Sequence, residues 1–318
     1  MANQILTNYC NADCDFCFAA DFRSKLRDEE LLQMEEEDVR SYLDFTLRAG
    51  IKELRLLGGE PTLHPRFADF VKMGKEAGCT IRVFSNGVMS DASQAALAAL
   101  DPEVCSVVIN FNAAIKPEDR QRRRDTLEML GPRVSPGVTL TSPVFSFLHI
   151  VEAIEAFGMR KTIRIGLSHP TWRGTNTALH PKRYAAAAAS LLEQSYLTAR
   201  HGISLDADCG FVRCMFGGIF DKLKENGFHY ISRCTPVLDL CAGEKIIPCF
   251  ALSEMISLRR EEHDSAKEAF STLTERLKPF RSFGIYPECR ECIFFETSEC
   301  CGGCAAARLR RLQPMGSS

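Results

Sequence analysis

The chain has 318 residues, of which 45% are hydrophobic and 25% are charged, and its formal net charge is −2. This composition is ordinary for one or two globular domains, and the small charge gives no electrostatic case for nucleic acid or an anionic membrane surface as a partner. No apolar stretch is long enough to span a bilayer and residues 1–4 begin no secretory signal, so the sequence predicts a cytoplasmic protein.

Strands and helices alternate over the first 168 residues. Strands are predicted at residues 5–7, 54–57, 80–84, 104–111, 134–140 and 162–167, and helices at 36–48, 66–78, 93–100, 117–130 and 149–157. Six such repeats predict an α/β fold with a parallel sheet and right-handed crossovers, an open and partial (β/α)6 barrel of the TIM type. Ligands of such sheets bind at the C-terminal strand ends, so residues that follow strands are the site candidates.

A basic run, Arg120, Arg122, Arg123 and Arg124, lies on the helix at 117–130. It is expected on a solvated face, with phosphate binding as the alternative.

The alternation stops after Pro170. One alanine-rich helix is predicted at 184–200, and the chain from residue 206 onward is rich in cysteine with short elements. We therefore predict a partial barrel at 1–170, a linking helix region at 171–205, a small metal-dependent domain at 206–306 and a tail at 307–318.

Fifteen cysteines without a signal peptide argue against a disulfide framework, because cytosolic thiols stay reduced. Thirteen of them lie within residues 10–17 and 209–304, which is typical of metal ligands. Cys79 and Cys105 stand apart and are expected to be buried structural thiols.

Cys10, Cys14 and Cys17 form the spacing C-x3-C-x2-C on the loop that leaves the first strand. Three thiolates can hold three irons of a cubane cluster and leave the fourth iron open to a small-molecule ligand. The alternative is a zinc knuckle, which would need a fourth ligand, and no histidine occurs before His64.

The run Gly58–Gly59–Glu60–Pro61 ends the second strand. Its glycines let the backbone come close to a ligand, and backbone carbonyls and Glu60 could accept hydrogen bonds from a cationic amine. Taken alone, the run could be an ordinary turn.

The cysteine spacing, with Phe16 before the last cysteine, and the Gly-Gly-Glu-Pro run one βα unit later together resemble the radical S-adenosylmethionine (radical SAM) enzymes, over residues 4–168. The resemblance implies a [4Fe–4S] cluster on the three cysteines whose open iron is chelated by the amino and carboxylate groups of S-adenosylmethionine (SAM). It also implies one-electron cleavage of SAM to a 5′-deoxyadenosyl radical that takes hydrogen from a substrate carbon. A flavodoxin- or ferredoxin-type protein is the expected electron donor.

The resemblance also implies cofactor contacts at the strand ends. Phe16 would lie beside the adenine, and the turn around Glu60 would face the methionine amine. The remaining candidates are Ser85, Asn86, Asn110 and Asn112 for the ribose and carboxylate, and Gly166 and Leu167 for the adenine. For each of these six, the alternative is a residue that only shapes the turn after a strand.

The second cysteine zone comprises Cys209, Cys214, Cys234, Cys241, Cys249, Cys289, Cys292, Cys300, Cys301 and Cys304. Its last part, C-x2-C-x7-C-x3-C, resembles the SPASM extension of radical SAM enzymes, which binds auxiliary [4Fe–4S] clusters. The SPASM pattern, C-x2-C-x5-C-x3-C followed by a further cysteine, differs from this chain in its middle gap and in that last ligand.

The resemblance implies one auxiliary cluster on Cys234, Cys249 and Cys304 and another on Cys289, Cys292 and Cys300. Cys209 and Cys214 could complete the ligand sets, so one or two auxiliary clusters are expected, with Cys241 and Cys301 as spares. The alternative is a zinc ribbon on Cys289, Cys292, Cys300 and Cys304.

The resemblance predicts oxidative modification or cross-linking of a peptide. Alternatives are radical oxidation or rearrangement of a small molecule, such as a sugar or nucleoside, and an iron–sulfur electron-transfer protein that never turns over SAM. The turn around Glu60 favours an enzyme, since an electron carrier needs no amino-acid site. Because the chain begins at the first strand, without a winged-helix region for a leader, a peptide substrate is expected to be short or to need a recognition partner. Trp172, Arg173 and His180 either border the substrate cavity or lie on a surface loop.

Overall fold

The computed structural model describes residues 1–28 and 33–310. The strands are β1 Ala2–Thr7, β2 Glu53–Gly58, β3 Thr80–Ser85, β4 Cys105–Asn110, β5 Val134–Leu140, β6 Thr162–Leu167, β7 Ser204–Ala207, β8 Phe228–His229, β9 Leu238–Cys241, β10 Lys245–Ile247 and β11 Leu258–Arg259. The helices are α1 Ala20–Asp28, α2 Glu36–Arg48, α3 Phe67–Glu76, α4 Asp91–Ala98, α5 Arg120–Leu130, α6 Leu148–Phe157, α7 Tyr184–Arg200, α8 Phe220–Glu225, α9 Ala266–Leu277, α10 Ile293–Glu296 and α11 Ala305–Arg310.

The strands form one sheet in the order β11-β10-β9-β1-β2-β3-β4-β5-β6-β7-β8. The run from β1 to β8 is parallel throughout, which confirms the predicted α/β fold with a parallel partial barrel. This run is longer than the six predicted strands, because α7 leads into β7 and α8 leads into β8.

The cysteine-rich region joins the same sheet on its other side. Strand β9 pairs in parallel with β1, with Asn3 opposite Asp239, and β10 and β11 follow in antiparallel pairing. The first strand therefore has a neighbour from the barrel and a neighbour from the second cysteine zone.

Alternate residues of the central strands face the helices and form the core. Leu54 and Leu56 of β2 and Ile81 and Val83 of β3 are buried there, and each such side chain stabilises the fold by about 1.5–3 kcal/mol. Cys79 and Cys105 are buried too, which confirms the prediction of structural thiols.

The other face of the sheet is polar. Arg55 and Arg164 lie over the ring of Phe84 at 5.2 and 5.0 Å, and Arg82 pairs with Glu53 at 2.9 Å. This face lines the inside of the partial barrel, below the strand ends.

Ordered structure continues past residue 306, where the tail is predicted to begin, because α11 reaches Arg310 and buries Ala307, Arg308 and Leu309. Residues 311–318 lie outside the described residues. In the described part of the chain, no helix combines the length and apolar character needed to cross a membrane.

Candidate active site and cysteine sets

The three cysteines of the first motif lie together on the loop between β1 and α1. Cys10, Cys14 and Cys17 line one cavity of about 360 Å³ at the C-terminal ends of the strands. Arg23, Lys116 and Asp13 line the same cavity, so two positive charges and one negative charge lie beside the thiols.

Backbone donors point at two of these thiols. The N–H of Ala12 donates to Cys10 Sγ at 3.4 Å, and the N–H of Ala114 donates to Cys14 Sγ at 3.2 Å. Burial raises the pKa of both thiols, and the hydrogen bonds oppose that shift. The loop after β4 thus donates to Cys14 and offsets part of the effect of burial there.

The two glycines after β2 allow close packing against the end of β1. Gly59 donates its N–H to Thr7 O at 2.7 Å, and Glu60 donates its N–H to Tyr9 O at 2.7 Å. A Cβ on Gly59 would lie 2.2 Å from Tyr9 O, and one on Gly58 would lie 2.4 Å from Thr7 O. The glycines are therefore required by the backbone that leads into Cys10, whatever cofactor lies beyond it.

The carboxylate of Glu60 is fully buried and accepts four hydrogen bonds from the protein. Oε1 accepts from the Thr62 N–H (3.3 Å), the Thr62 hydroxyl (2.7 Å) and the Ser85 hydroxyl (2.8 Å), and Oε2 accepts from the Asn86 N–H (2.7 Å). Burial raises the pKa of Glu60, and these hydrogen bonds oppose the shift. Pro61, also buried, begins the short 3-10 turn Pro61–Leu63. Glu60 thus joins the ends of β2 and β3.

Asn86 extends this connection to the cluster loop. Its side-chain N–H donates to Asn11 Oδ1 at 2.7 Å and lies 3.9 Å from Cys10 Sγ, and its Oδ1 accepts from the Val88 N–H at 2.8 Å. The ends of β1, β2 and β3 are therefore joined by one continuous set of hydrogen bonds.

The two asparagines after β4 differ in their contacts. Asn112 holds the backbone of Thr139 with both ends of its amide, at 2.7 and 3.0 Å. Asn110 offers Oδ1 to the Asn112 N–H at 3.3 Å.

Arg123 departs from its predicted solvated position, unlike its exposed neighbours Arg120, Arg122 and Arg124. It donates to Asn110 O at 3.0 Å and lies 4.9 Å from the ring centre of Phe111, and burial lowers its pKa to about 10. The sequence did not indicate that Arg123 is partly buried, because the arginines around it belong to the exposed face of the same helix.

Residues 169–177, after β6, contact the cluster loop. Asn176 donates to Phe16 O at 3.2 Å and to His169 O at 2.9 Å, and Thr177 donates to Asp15 through its N–H (2.8 Å) and hydroxyl (2.9 Å). The sequence carries no motif that indicates this contact.

The other candidate residues in and after β6 lie in different surroundings. A Cβ on Gly166 would make only ordinary van der Waals contacts, with Thr139 Oγ1 at 3.9 Å, whereas Leu167 is buried in the core. Trp172 packs partly against that core, Arg173 pairs with Glu254 at 3.1 Å, and His180 is exposed.

The cysteines of the second zone divide into two sets of four by their electrostatic neighbours. Burial, followed by the charges of Cys300, Cys289 and Cys292, raises the pKa of Cys214 to about 11. In the other set, burial and then the charge of Cys304 raise the pKa of Cys234 and Cys249. Burial also raises the pKa of Cys209, where the charge of Cys304 contributes after the effects of His169 and Asp208. The two sets are therefore Cys214, Cys289, Cys292 and Cys300, and Cys209, Cys234, Cys249 and Cys304.

This division fits two [4Fe–4S] clusters, each of which takes four thiolates. Within residues 1–28 and 33–310, no three His, Cys, Asp or Glu side chains form a site for a single metal ion, and this applies to the cysteines of both sets as well. The zinc ribbon, which is the alternative to the clusters, would combine Cys304 with three members of the other set. Cys241 is fully buried and donates to Asp239 O at 3.5 Å, and Cys301 contacts Gly303 O at 3.7 Å.

The fold and site define a class: a parallel partial barrel that carries a three-cysteine iron–sulfur motif at its strand ends. Residues 5–130 match the Radical SAM superfamily, which confirms the family resemblance over this part of the chain.

Among curated proteins, the chain is 26% identical over 132 residues to GTP 3′,8-cyclase of Chlorobaculum tepidum, and 25% identical over 144 residues to GTP 3′,8-cyclase of Helicobacter pylori. These matches cover 39% and 42% of this chain but only 37% and 43% of the relatives.

Among solved structures, Streptococcus suis SuiB bound to the precursor peptide SuiA matches 97% of this chain and 72% of its own, with a TM-score of 0.65 and 14% identity. SuiB bound to S-adenosylmethionine matches with a TM-score of 0.66 and 13% identity, over 97% of this chain and 73% of its own. At these identities the likeness establishes the fold, and it extends through the second cysteine zone.

Proposed function

We propose that this protein is an enzyme that reductively cleaves SAM and abstracts hydrogen from a carbon of a peptide, in an oxidative modification or cross-linking reaction. The observation that carries the proposal is the shared cavity of Cys10, Cys14 and Cys17 at the strand ends. When bound there, a [4Fe–4S] cluster and SAM supply a 5′-deoxyadenosyl radical, chemistry that side-chain acids and bases cannot perform.

The surrounding residues have defined tasks in this proposal. The three cysteines hold three irons, and the backbone N–H groups of Ala12 and Ala114 orient the Cys10 and Cys14 sulfurs. Arg23 and Lys116 supply positive charge to a cavity that would receive an anionic cluster and a carboxylate.

The strand-end candidates complete the SAM site. Glu60 and Asn86 fix the loop geometry through their hydrogen bonds. Phe16, Gly58, Gly59, Pro61, Ser85, Asn110, Asn112, Gly166 and Leu167 remain the candidates for contacts with SAM.

The two four-cysteine sets would hold auxiliary [4Fe–4S] clusters. Each set has the four thiols that a [4Fe–4S] cluster takes. The sequence resemblance supplies three cysteines for each cluster, and Cys209 and Cys214 would each be the fourth ligand of a different one. Auxiliary clusters suit a net oxidation, because a substrate radical must transfer an electron to an acceptor.

The peptide is preferred as substrate because SuiB, whose solved complex holds a precursor peptide, resembles this chain over 97% of its length. A small-molecule substrate is the second candidate, since the GTP 3′,8-cyclases are relatives in sequence. That relationship covers less than half of the chain, which makes it the weaker support.

SAM cleavage is tested with anaerobically reconstituted protein, dithionite and SAM, with 5′-deoxyadenosine measured by mass spectrometry. Cys14→Ala should abolish the product, whereas Cys301→Ala, which removes a thiol outside both sets, should retain it. Loaded clusters without any 5′-deoxyadenosine in the parent would instead favour an electron-transfer protein.

The substrate class is tested by isotope transfer. Peptides and nucleotides deuterated at carbon are offered separately, and 5′-deoxyadenosine is examined for deuterium. Deuterium from a peptide supports the proposal, and deuterium from the nucleotide alone replaces it with the small-molecule alternative.

A further inference from the structure

Arg308 is the largest fully buried side chain in the described part of the molecule, with 0% of its surface exposed. It lies on α11, four residues after Cys304. A guanidinium is always charged in proteins, so its burial needs an explanation from its surroundings.

Its hydrogen-bond partners are backbone carbonyls. Nε donates to Gly302 O at 3.1 Å, Nη1 donates to Phe280 O at 3.2 Å, and Nη2 donates to Gly303 O at 2.6 Å and to Cys301 O. Within residues 1–28 and 33–310, no carboxylate forms an ion pair with Arg308. The carbonyls satisfy its donors and leave its charge without a counter-ion.

Arg308 lies next to cysteines of both sets. Its helix α11 starts directly after Cys304 of one set, and its Nη2 donates to the carbonyl of Cys301, which directly follows Cys300 of the other set. The carbonyls of residues 301–303 that bind Arg308 lie between Cys300 and Cys304, which belong to different sets. Arg308 is therefore held by the short loop that connects the two sets.

We propose that Arg308 is the shared counter-ion of the two auxiliary clusters. The inference rests on the proposed clusters, because a four-iron cluster with four thiolates carries a net charge of about −2 when oxidised. Two such groups beside a buried guanidinium supply the negative charge that the protein itself does not. The positive charge also favours addition of an electron to either cluster.

The experiment uses full-length, anaerobically reconstituted protein that carries Cys10→Ala, Cys14→Ala and Cys17→Ala, so that only auxiliary clusters contribute signals. Arg308→Met removes the charge, and Arg308→Lys keeps the charge but changes the donor geometry. Arg310→Met, which removes the same charge from an exposed position on the same helix, is the matched control. Iron and sulfide per chain and the midpoint potentials from EPR-monitored titration are measured for each protein.

Arg308→Met should lower iron and sulfide and move both midpoint potentials to more negative values, whereas Arg308→Lys and Arg310→Met should stay close to the parent. Parental iron and potentials in Arg308→Met would overturn the proposal, as would a shift in only one cluster. If Arg308→Met does not fold, Arg308→Lys decides: loss of iron in that variant would assign Arg308 to loop structure alone. Absence of auxiliary iron from the parent would refute the proposed function itself, which is a separate outcome.

Discussion

The side-chain amide of Asn86 donates a 2.7 Å hydrogen bond to the side-chain oxygen of Asn11. Asn11 lies between the first two cysteines of the cluster loop, and Asn86 follows β3. The N–H of Asn86 donates to the buried carboxylate of Glu60 at 2.7 Å. The turn after β2 therefore influences the conformation of the cluster loop through Asn86, which follows β3.

Asn86→Ala should weaken the first cluster site without affecting the auxiliary ones. A lost hydrogen bond that leaves a partner unsatisfied costs about 1–3 kcal/mol, or roughly a 5- to 150-fold change in an equilibrium. We expect 5′-deoxyadenosine formation to fall by roughly tenfold or more on that basis. Asn226→Ala, which removes a 2.9 Å hydrogen bond to Ser195 away from the site, is the control and should keep parental activity. Equal activity in both variants would show that Asn86 does not position the loop.

Gly59→Ala should displace the cluster loop, because its Cβ would lie 2.2 Å from Tyr9 O and 2.9 Å from Asn8 O. The backbone of Tyr9 and Asn8 cannot move aside as a flexible side chain can, so we expect the first cluster to be lost. If three clusters are present, this is a loss of about one third of the iron. Gly218→Ala is the matched control, since a Cβ there meets nothing within 4 Å. Iron analysis and circular dichroism of both variants distinguish a local from a global effect, and full iron in Gly59→Ala would contradict the prediction.

The parent should hold three [4Fe–4S] clusters, and the triple variant of Cys10, Cys14 and Cys17 to Ala should keep roughly two thirds of the iron. The reason is that the first motif and the two four-cysteine sets use separate ligands. Mössbauer spectroscopy with iron and sulfide analysis measures the content. One cluster's worth of iron in the parent, or stoichiometric zinc, would refute the two auxiliary clusters.

Asp239 should make stability depend on pH near neutrality. Burial raises its pKa from 3.8 to about 7, against the opposing effects of a 2.6 Å hydrogen bond from Asn3 and the charge of Arg55. The folded state therefore binds the proton more tightly than the unfolded state, and this stabilising contribution is lost as pH rises through 7. Between pH 6 and 8 the loss amounts to about 1.4 kcal/mol.

Asp239→Asn should remove that slope, as measured by anaerobic urea unfolding at pH 6, 7 and 8. Asp91→Asn, at a carboxylate whose side chain is 92% exposed, should leave the parental slope unchanged. If the pH dependence of stability persists in Asp239→Asn, titratable groups other than Asp239 cause it.

Long periodic elements were predictable from the sequence. Glu36–Arg48, Val134–Leu140, Thr162–Leu167 and Tyr184–Arg200 have the predicted bounds, because hydrophobic spacing and end signals agree over 6 to 17 residues. Strands β7 to β11 were missed, since they have only two to four residues and depend on hydrogen bonds to distant partners.

The candidate site shows the same difference between features that local sequence predicts and features that depend on distant residues. Local spacing identifies Cys10, Cys14 and Cys17, because one loop supplies them all. The assignment of Cys209 and Cys214 to different sets, and the burial of Arg308 between the sets, depend on tertiary packing that no short motif encodes.

The position of β1 between β2 and β9 has a consequence for the order of events during synthesis. Asn3 and Asp239, which face each other across β1 and β9, are 236 residues apart in the chain. A nascent chain that has not yet reached β9 would present β1 as an unpaired edge, open to pairing with other chains. The loop that carries Cys10 follows that same strand, so its final conformation is expected to form only once β9 has been synthesised. Iron delivery to this loop is accordingly expected after that point.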